Sequence, residues 1–349
     1  MKKYKGGSKK VGIILISIVS IIIVAVLGVL INIVITQQNE MTALSTAVVT
    51  LEVQEQELAY EMEEAIKEQE AKEDEKVNTL LESIKTQMED GNTTLTLLEN
   101  CFPDDLIVGH EGAYLFIPID ESLNQNDYIV ENLEKDEETG EITYLENEEV
   151  TSRKGIDVSK FQGNIEWDKV ANDGVDFTII RLGYRGNETG KLVVDETYEA
   201  NIEGATEEGL DVGVYFYTEA ITVEEAIEEA DFVIENLGDY ELTLPVVIDV
   251  EESASEDARS RQIDADERTE IVLAFCDRIE EAGYETMIYG NLKSFLVLMN
   301  IEELEGYGKW FAYYKFPLRF PYEFQIWQYT ASGTVDGIKG GVDMNIAFY

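Results

Sequence analysis

Several residue types are scarce in this chain, and each scarcity excludes a class of function. The only histidine among the 349 residues, His110, leaves no two-histidine zinc motif and argues against a serine–histidine–aspartate triad. Two cysteines, Cys101 and Cys276, are too few for a four-cysteine zinc site or a disulfide-dense scaffold. Basic residues number 26 against 72 acidic ones, so a chain of net charge −46 should repel nucleic acid. Apolar residues at 44% and aromatic residues at 10% nevertheless predict a folded core.

The charge divides the chain into three parts. Residues 1–35 carry +5, residues 36–150 carry −26, and residues 151–349 carry −25. The chain therefore has a basic tip, an acidic middle, and an acidic C-terminal half that also contains most of the aromatic residues.

Residues 11–35 form an uncharged, mainly apolar run behind a basic tail at residues 1–10. A helix of that length, at about 1.5 Å per residue, spans a hydrocarbon core of about 30 Å. No small-residue cleavage site follows the run, which favours an uncleaved anchor over a signal peptide. The lysines of the tail predict a cytoplasmic N-terminus, so a single-pass cell-membrane protein with everything after Thr36 outside the cell is expected.

Residues 36–100 predict a helical stalk, because they are rich in Glu, Gln, Lys and Ala and contain no proline or glycine before Gly91. Apolar residues recur in alternating steps of four and three, with one missed step and a polar gap at residues 69–76. The stripe contains Leu44, Val48, Leu51, Leu58, Met62 and Ala65, and resumes at Val77. Two interpretations are open: a parallel coiled coil that makes a homodimer, or a solvated spacer that holds the next domain away from the membrane.

Residues 101–152 predict a small connector with strands near residues 113–119 and 140–145. Its charge run at residues 131–141 is most simply a solvated turn, and His110 is most simply a surface residue rather than a ligand. We expect the connector to contact the next domain and to have no chemistry of its own.

Residues 153–349 alternate short apolar strands with amphipathic helices, which predicts an α/β fold with a parallel sheet closed into a compact barrel. Asp264 and Glu267 form a capping box at the start of the longest helix of this region. That helix contains Cys276, which we expect to be a buried core thiol; a bridge to Cys101 is the alternative. Most predicted strands end in a carboxylate, an arginine or an aromatic residue, and parallel barrels place their active sites at the carboxyl ends of the strands.

Asp249 and Glu251 follow the most apolar of these strands. Residues i and i+2 of a strand point to the same face, so the two carboxyl groups are expected side by side. Two desolvated carboxyl groups that close cannot both ionise cheaply, and one stays protonated near neutral pH. A protonated and an ionised carboxyl group together can cleave a glycosidic bond. A calcium site or a simple acidic loop is the alternative.

Five motifs of this half, in order, resemble the glycoside hydrolase family 25 lysozymes, which are N-acetylmuramidases acting on peptidoglycan. They are Gly155–Gly163, Ile165–Asp168, Phe177–Tyr184, Pro245–Glu251, and Trp327–Thr330 together with Gly341–Asn345. The resemblance extends from about Lys154 to Tyr349. It implies an irregular, flattened (β/α) TIM-like barrel with fewer helices than strands, and it implies no cofactor and no metal.

The resemblance also implies roles for individual residues. Glu251 matches the general acid, and Asp249 matches the residue that polarises the substrate's N-acetyl group. Asp157 and Asp343 match carboxylates that line the same cleft. Whether the acetamido group or a carboxylate is the nucleophile stays open. The residues expected to bind sugar are Arg181, Tyr184, Tyr215, Tyr217, Tyr289, Trp310, Trp327 and Gln328.

The sequence therefore predicts a membrane-anchored hydrolase that cleaves the β-1,4 bond between N-acetylmuramic acid and N-acetylglucosamine. Its expected partners are peptidoglycan and the cell membrane. Two other hypotheses are a noncatalytic glycan-binding scaffold at the cell surface and a different N-acetylhexosaminidase, such as a chitin-cleaving enzyme, on a similar barrel.

Overall fold

The computed structural model describes residues 7–89, 94–147 and 149–348. The chain forms two compact units, Met1–Thr93 and Thr94–Tyr349. The second unit contains both the connector and the predicted barrel, and it begins with helix α2 (Thr94–Cys101), which the sequence assigned to the end of the stalk.

The first unit contains one continuous helix, α1 (Gly7–Glu89). The polar gap that interrupts the apolar stripe leaves the helix intact, and ion pairs Lys67–Glu63 at 2.6 Å and Lys72–Glu68 at 2.7 Å lie beside it. Such exposed pairs one turn apart stabilise a helix by only about 0.2–0.5 kcal/mol each. The part Ser17–Thr86 is long and apolar enough to cross a membrane, although a signal sequence near the N-terminus would pass the same test. Residues 1–6 of the predicted basic tail lie outside the described residues.

A closed eight-stranded barrel forms the centre of the second unit. Its strands are β6 (Arg153–Val158), β7 (Phe177–Arg185), β9 (Asp211–Tyr217), β10 (Val246–Asp249), β11 (Thr286–Asn291), β12 (Gly308–Ala312), β13 (Ile326–Gly333) and β14 (Val342–Ala347). All neighbours are parallel except β14, which runs antiparallel between β13 and β6 and closes the barrel. A short strand, β8 (Leu192–Val194), forms a hairpin with β7 on the outside. The predicted TIM-like barrel is confirmed.

Four helices cover the barrel: α3 (Trp167–Asn172), α4 (Tyr198–Glu207), α5 (Val223–Leu237) and α6 (Ala265–Glu281). The predicted capping box begins α6, since the Asp264 carboxylate accepts from Glu267 N while the Glu267 side chain accepts from Asp264 N. Gly283, at φ +94°, follows its end. A short π-helix, Ser294–Leu298, follows β11 and packs Phe295 into the core.

The barrel strands separate two apolar layers because their side chains alternate in direction. An inner layer fills the barrel with Phe177, Ile179, Val247, Met287, Trp310 and Ile326, among others. A larger outer layer lies between the strands and the helices. Cys276 belongs to the outer layer, is fully buried as predicted, and like Cys101 is a free thiol.

The connector contains more strands than the sequence predicts. A hairpin is formed by β1 (Asp105–His110) and β2 (Ala113–Pro118), joined by Glu111 and Gly112 at positive φ. A second small sheet contains β3 (Leu133–Lys135), β4 (Ile142–Glu146) and β5 (Glu149–Val150). Between them, the Tyr128 ring packs on Phe324 and Phe348 with centroids 5.6 and 5.7 Å away, and this contact ties the connector to the barrel.

Candidate active site

The candidate site lies at the carboxyl ends of the parallel strands, directly beyond the inner apolar layer. Val247, Asp249 and Glu251 lie two residues apart, so Asp249 and Glu251 continue the inward-facing side of β10. The same alternation brings Arg181 after Ile179 on β7. It also brings together Asp157, Tyr215, Tyr217, Tyr289, Trp310, Gln328 and Asp343, all of which line one cleft of about 580 Å³.

Two buried side-chain amides donate hydrogen bonds to Asp157. Asn345 Nδ2 and Gln328 Nε2 each donate to Asp157 Oδ2 at 2.8 Å. Trp310 Nε1 in turn donates to Asn345 Oδ1 at 2.7 Å, and Tyr289 Oη donates to Gln328 Oε1 at 2.9 Å. These bonds fix the orientation of the amides and stabilise the ionised form of Asp157, which is only 7% exposed.

The four carboxyl groups of the cleft all have raised pKa values. Burial is the main cause in each case, and it raises the pKa of Asp343 to about 6. The Asp343 charge further raises the pKa of Asp157 and of Glu251, while the Glu251 charge further raises that of Asp249. Asp249 and Glu251 also share a hydrogen bond. The cluster therefore holds protons to higher pH than exposed carboxyl groups do, which favours an acid catalyst.

Arg181 and Asp195 form an ion pair at the edge of this cluster. Arg181 Nε and Nη2 lie 2.7 and 2.6 Å from Asp195 Oδ2, and the Asp195 side chain is fully buried. Thr197 N and Oγ1 donate to the other oxygen, Asp195 Oδ1, at 2.9 and 2.8 Å. The positive charge of Arg181 lowers the pKa of Asp249, which opposes the larger effect of burial.

Aromatic side chains form the walls of the cleft. The Tyr289 ring packs on Trp310 with centroids 4.4 Å apart, and Tyr215 meets Trp310 edge to face at 6.1 Å. Tyr184 lies at the rim, where the Arg181 guanidinium is 5.5 Å from its ring centroid. Such rings can pack against the apolar faces of pyranose sugars.

One predicted site residue does not belong to the cleft. Trp327 is fully buried in the outer layer, and its Nε1 donates to Tyr313 O at 2.7 Å. Trp327 directly precedes Gln328 on β13, so its side chain points to the opposite, outer face of the barrel. Its expected role as a sugar-binding wall is wrong. Its large ring packs between barrel and helices instead.

The sequence missed several residues of the site. Tyr314 donates from Oη to Gln328 Oε1 at 2.6 Å, but it lies two residues past the end of β12, so strand alternation does not predict its direction. Asn345 lies inside the motif Gly341–Asn345, but its hydrogen bond to Asp157 depends on the antiparallel pairing of β14 with β6. Phe161 lines the cleft and is 76% exposed, as a platform for a ligand would be. Phe161 lies inside the motif Gly155–Gly163, whereas nothing in the local sequence distinguishes Asp195.

Known proteins that resemble this chain include a lysozyme and an autolysin. An uncharacterized Escherichia coli protein, YegX, is 27% identical over 204 residues, covering 55% of this chain and 68% of its own. The autolytic lysozyme of Clostridium acetobutylicum is 25% identical over 193 residues, 55% of each chain. The modular autolysin LytC of Streptococcus pneumoniae is 26% identical with a TM-score of 0.52, over 69% of this chain. The present chain spans only 57% of LytC and 55% of the clostridial lysozyme.

The family match covers most of the barrel that contains the site. Residues 156–338 match the family model described as glycosyl hydrolases family 25. This range is more than half of the 349 residues and runs from within β6 past the end of β13, whereas Asp343 and Asn345 on β14 lie beyond it. The chain belongs to the glycosyl hydrolases of family 25.

Proposed function

We propose that this protein is a peptidoglycan hydrolase that cleaves the β-1,4 bond between N-acetylmuramic acid and N-acetylglucosamine. The observation that carries the proposal is the cluster of four carboxyl groups with raised pKa values in one aromatic-walled cleft. The family and its lysozyme relatives support peptidoglycan as substrate. The relative LytC has also been solved in complex with a synthetic peptidoglycan ligand.

In the first step, Glu251 gives its proton to the glycosidic oxygen as the bond from that oxygen to C1 breaks. Glu251 suits this role because its side chain is only partly buried, whereas Asp249 is 5% exposed. The carbonyl oxygen of the substrate's own 2-acetamido group bonds to C1. Asp249 Oδ1, buried and without a hydrogen-bond partner in the described part of the chain, accepts from the acetamido N–H.

In the second step, the Glu251 carboxylate removes a proton from water, and the water oxygen bonds to C1. The bond between C1 and the acetamido oxygen breaks, which restores the acetamido group and the protonated Glu251. The product has a new reducing N-acetylmuramic acid end with retained configuration. Asp157 and Asp343 contribute negative charge near the positive charge that develops on the sugar ring.

The test is the identity of the new reducing end. Peptidoglycan digested by the full chain in detergent micelles is reduced with borohydride, and the resulting sugar alcohol is identified by mass spectrometry. We expect muramitol. Glucosaminitol, or no muropeptide release by a folded protein, contradicts the proposal.

We also propose that residues 11–35 anchor the protein in the cell membrane with residues 1–10 in the cytoplasm and the barrel outside. The apolar side chains of this stretch that the structure describes are exposed, as lipid contact requires. Membranes extracted with alkaline carbonate should retain the chain, and protease added to spheroplasts should remove the barrel. The rest of α1 then acts as a spacer, and cysteine crosslinking at Leu51 tests whether two copies pair along it.

A further inference from the structure

A second cavity, of about 480 Å³, lies between the connector and the barrel. Its connector side is formed by helix α2 and strand β1, and its barrel side by the segments that follow β11 and β12. Glu251, Tyr289 and Tyr314 line both this cavity and the catalytic cleft, so the two spaces are adjacent. The family match begins at residue 156, so the connector wall is a feature that the family model does not include.

The connector is fastened to the barrel at several points, one of which is a wall of this cavity. Lys315 Nζ lies 2.8 Å from Glu99 Oε1, and Tyr322 Oη accepts from Asp120 N at 3.0 Å. Asn126 Nδ2 donates to Phe320 O at 2.8 Å. The cavity therefore has two fixed walls rather than a loose flap.

Strand β1 presents its edge to the cavity. Three consecutive residues line it, Ile107, Val108 and Gly109. Because neighbouring side chains of a strand point to opposite faces, three in a row indicate that the backbone edge borders the space. On that side, β1 pairs with no strand among residues 94–147 and 149–348. A free strand edge can pair with an extended peptide.

The lining of the cavity differs from that of the cleft. Its walls combine an aliphatic part with three tyrosines, two acids and two cations. The aliphatic residues are Leu95, Ile107, Val108, Leu292 and Ala312, the acids are Glu99 and Glu251, and the cations are Lys293 and Lys315. The side chains of Lys293 and Lys315 are 17% and 39% exposed, and both have ammonium protons beyond the single carboxylate contact they make. The aliphatic surface beside a free strand edge fits an extended peptide with small apolar side chains, and the two lysines can each donate to a carboxylate of that peptide in addition to the one they already contact.

We propose that this cavity binds the acidic stem peptide that N-acetylmuramic acid carries on its lactyl group. The peptide lies extended along the edge of β1, its methyl groups contact the aliphatic wall, and its carboxylates face Lys293 and Lys315. The inference rests on the proposed function, because the peptide reaches the cavity only when its sugar occupies the cleft beside Glu251. The connector thereby makes the enzyme prefer peptide-bearing glycan.

The test compares two forms of one substrate: peptidoglycan with its stem peptides, and the same glycan strands after the peptides have been removed from the lactyl groups. The variant Gly109→Phe fills the cavity, since a Cβ at Gly109 meets no atom within 4 Å and its φ is not positive. Gly306→Phe is the matched control, because Gly306 is equally open and lies outside both cavities. Tryptophan fluorescence checks the folding of each variant.

For the wild-type full chain, kcat/KM on peptide-bearing strands should exceed that on bare strands at least about fivefold. Gly109→Phe should remove most of this preference, Lys293→Gln should reduce it about threefold, and Gly306→Phe should keep it. Equal rates of wild type on the two substrates, or an unchanged preference in folded Gly109→Phe, overturns the peptide site and leaves the proposed function intact. An equal loss on both substrates identifies the cavity as a sugar subsite and also overturns the inference. Hydrolysis of neither substrate by folded wild type overturns the proposed function itself.

Discussion

Arg185 holds together the elements on one side of the cleft, and its replacement by methionine should unfold the barrel at markedly lower temperature. Its guanidinium contacts Glu229 at 2.7 Å, Glu228 at 2.8 Å and Gly190 O at 2.8 Å, while the side chains of Arg185 and Glu229 are 3% and 0% exposed. These contacts join β7, the hairpin to β8, and helix α5. Removing the cation leaves a carboxyl group buried with only the hydroxyl of Thr218 and a backbone amide as partners.

The magnitude follows from the burial of the pair. Breaking a buried ion pair by removing one partner costs about 3–5 kcal/mol. For a domain of this size, each kcal/mol lowers the melting temperature by about 2–4 °C, so Arg185→Met should lower it by about 6–20 °C. Arg278→Met is the matched control: its pair with Asp231 is 33% and 54% exposed, and the expected loss is below about 1 kcal/mol.

The effect of Arg185→Met should also depend on pH. Burial raises the pKa of Glu229 to about 7 even with its arginine partner present. A carboxyl group whose pKa is raised by folding binds more protons in the native state, so stability falls as pH rises from the unfolded pKa to the folded one. Without Arg185 the folded pKa rises further, and the destabilisation should be larger at pH 8 than at pH 5.5.

Fluorescence melting measures this effect, since all three tryptophans lie in the second unit. A drop of less than about 3 °C at pH 8, or a drop no larger than that of Arg278→Met, would refute the reasoning.

Three further predictions concern the cleft and its supports. Asp343→Asn removes a negative charge that raises the pKa of Glu251, so the loss of kcat/KM at high pH should begin at a lower pH; an unchanged pH profile contradicts this. Gly155→Ala places a Cβ 2.1–2.4 Å from the Phe177 ring, and the forced repacking should cost about 1–3 kcal/mol by thermal melting, whereas an unchanged melting temperature contradicts the close approach. Trp327→Phe removes a buried hydrogen bond and ring volume, so it should lower the melting temperature but change KM less than about twofold; a large rise in KM would return Trp327 to the binding site.

The barrel and its functional edge could be predicted from the sequence because strand periodicity and strand-end chemistry are local signals. Asp249 and Glu251 follow an apolar strand at i+2 spacing, and the structure places both at the cleft. The strand β14 escaped prediction because inward-facing Asp343 and Asn345 interrupt its apolar residues, and two glycines precede it. The polar residues of β14 find their partners only when β14 pairs with β6 and β13, as the bond from Asn345 to Asp157 shows.

The errors at single residues have the same origin. The residue type of Trp327 predicts a sugar-binding wall, but its neighbour Gln328 points into the barrel, so the Trp327 ring points outward. Tyr314 follows Ala312 at i+2, but the strand ends between them, so its direction depended on a loop. The cavity behind the connector depends on contacts such as Asn126 with Phe320, nearly two hundred residues apart. No local pattern predicts contacts at that separation.

Glu251 is the residue on which the catalytic account depends, and its replacement tests that account most directly. Wild type, Glu251→Gln and Glu256→Gln each digest peptidoglycan, and the products are then reduced with borohydride. The measurement is the rate at which muramitol-terminated fragments form. Glu256 is an exposed residue of the loop that follows, so its amide controls for the loss of one acidic charge. General-acid catalysis predicts a fall of about 10²–10⁴-fold for Glu251→Gln at unchanged melting temperature, and no change for Glu256→Gln. Near wild-type release of muramitol by folded Glu251→Gln would contradict the account.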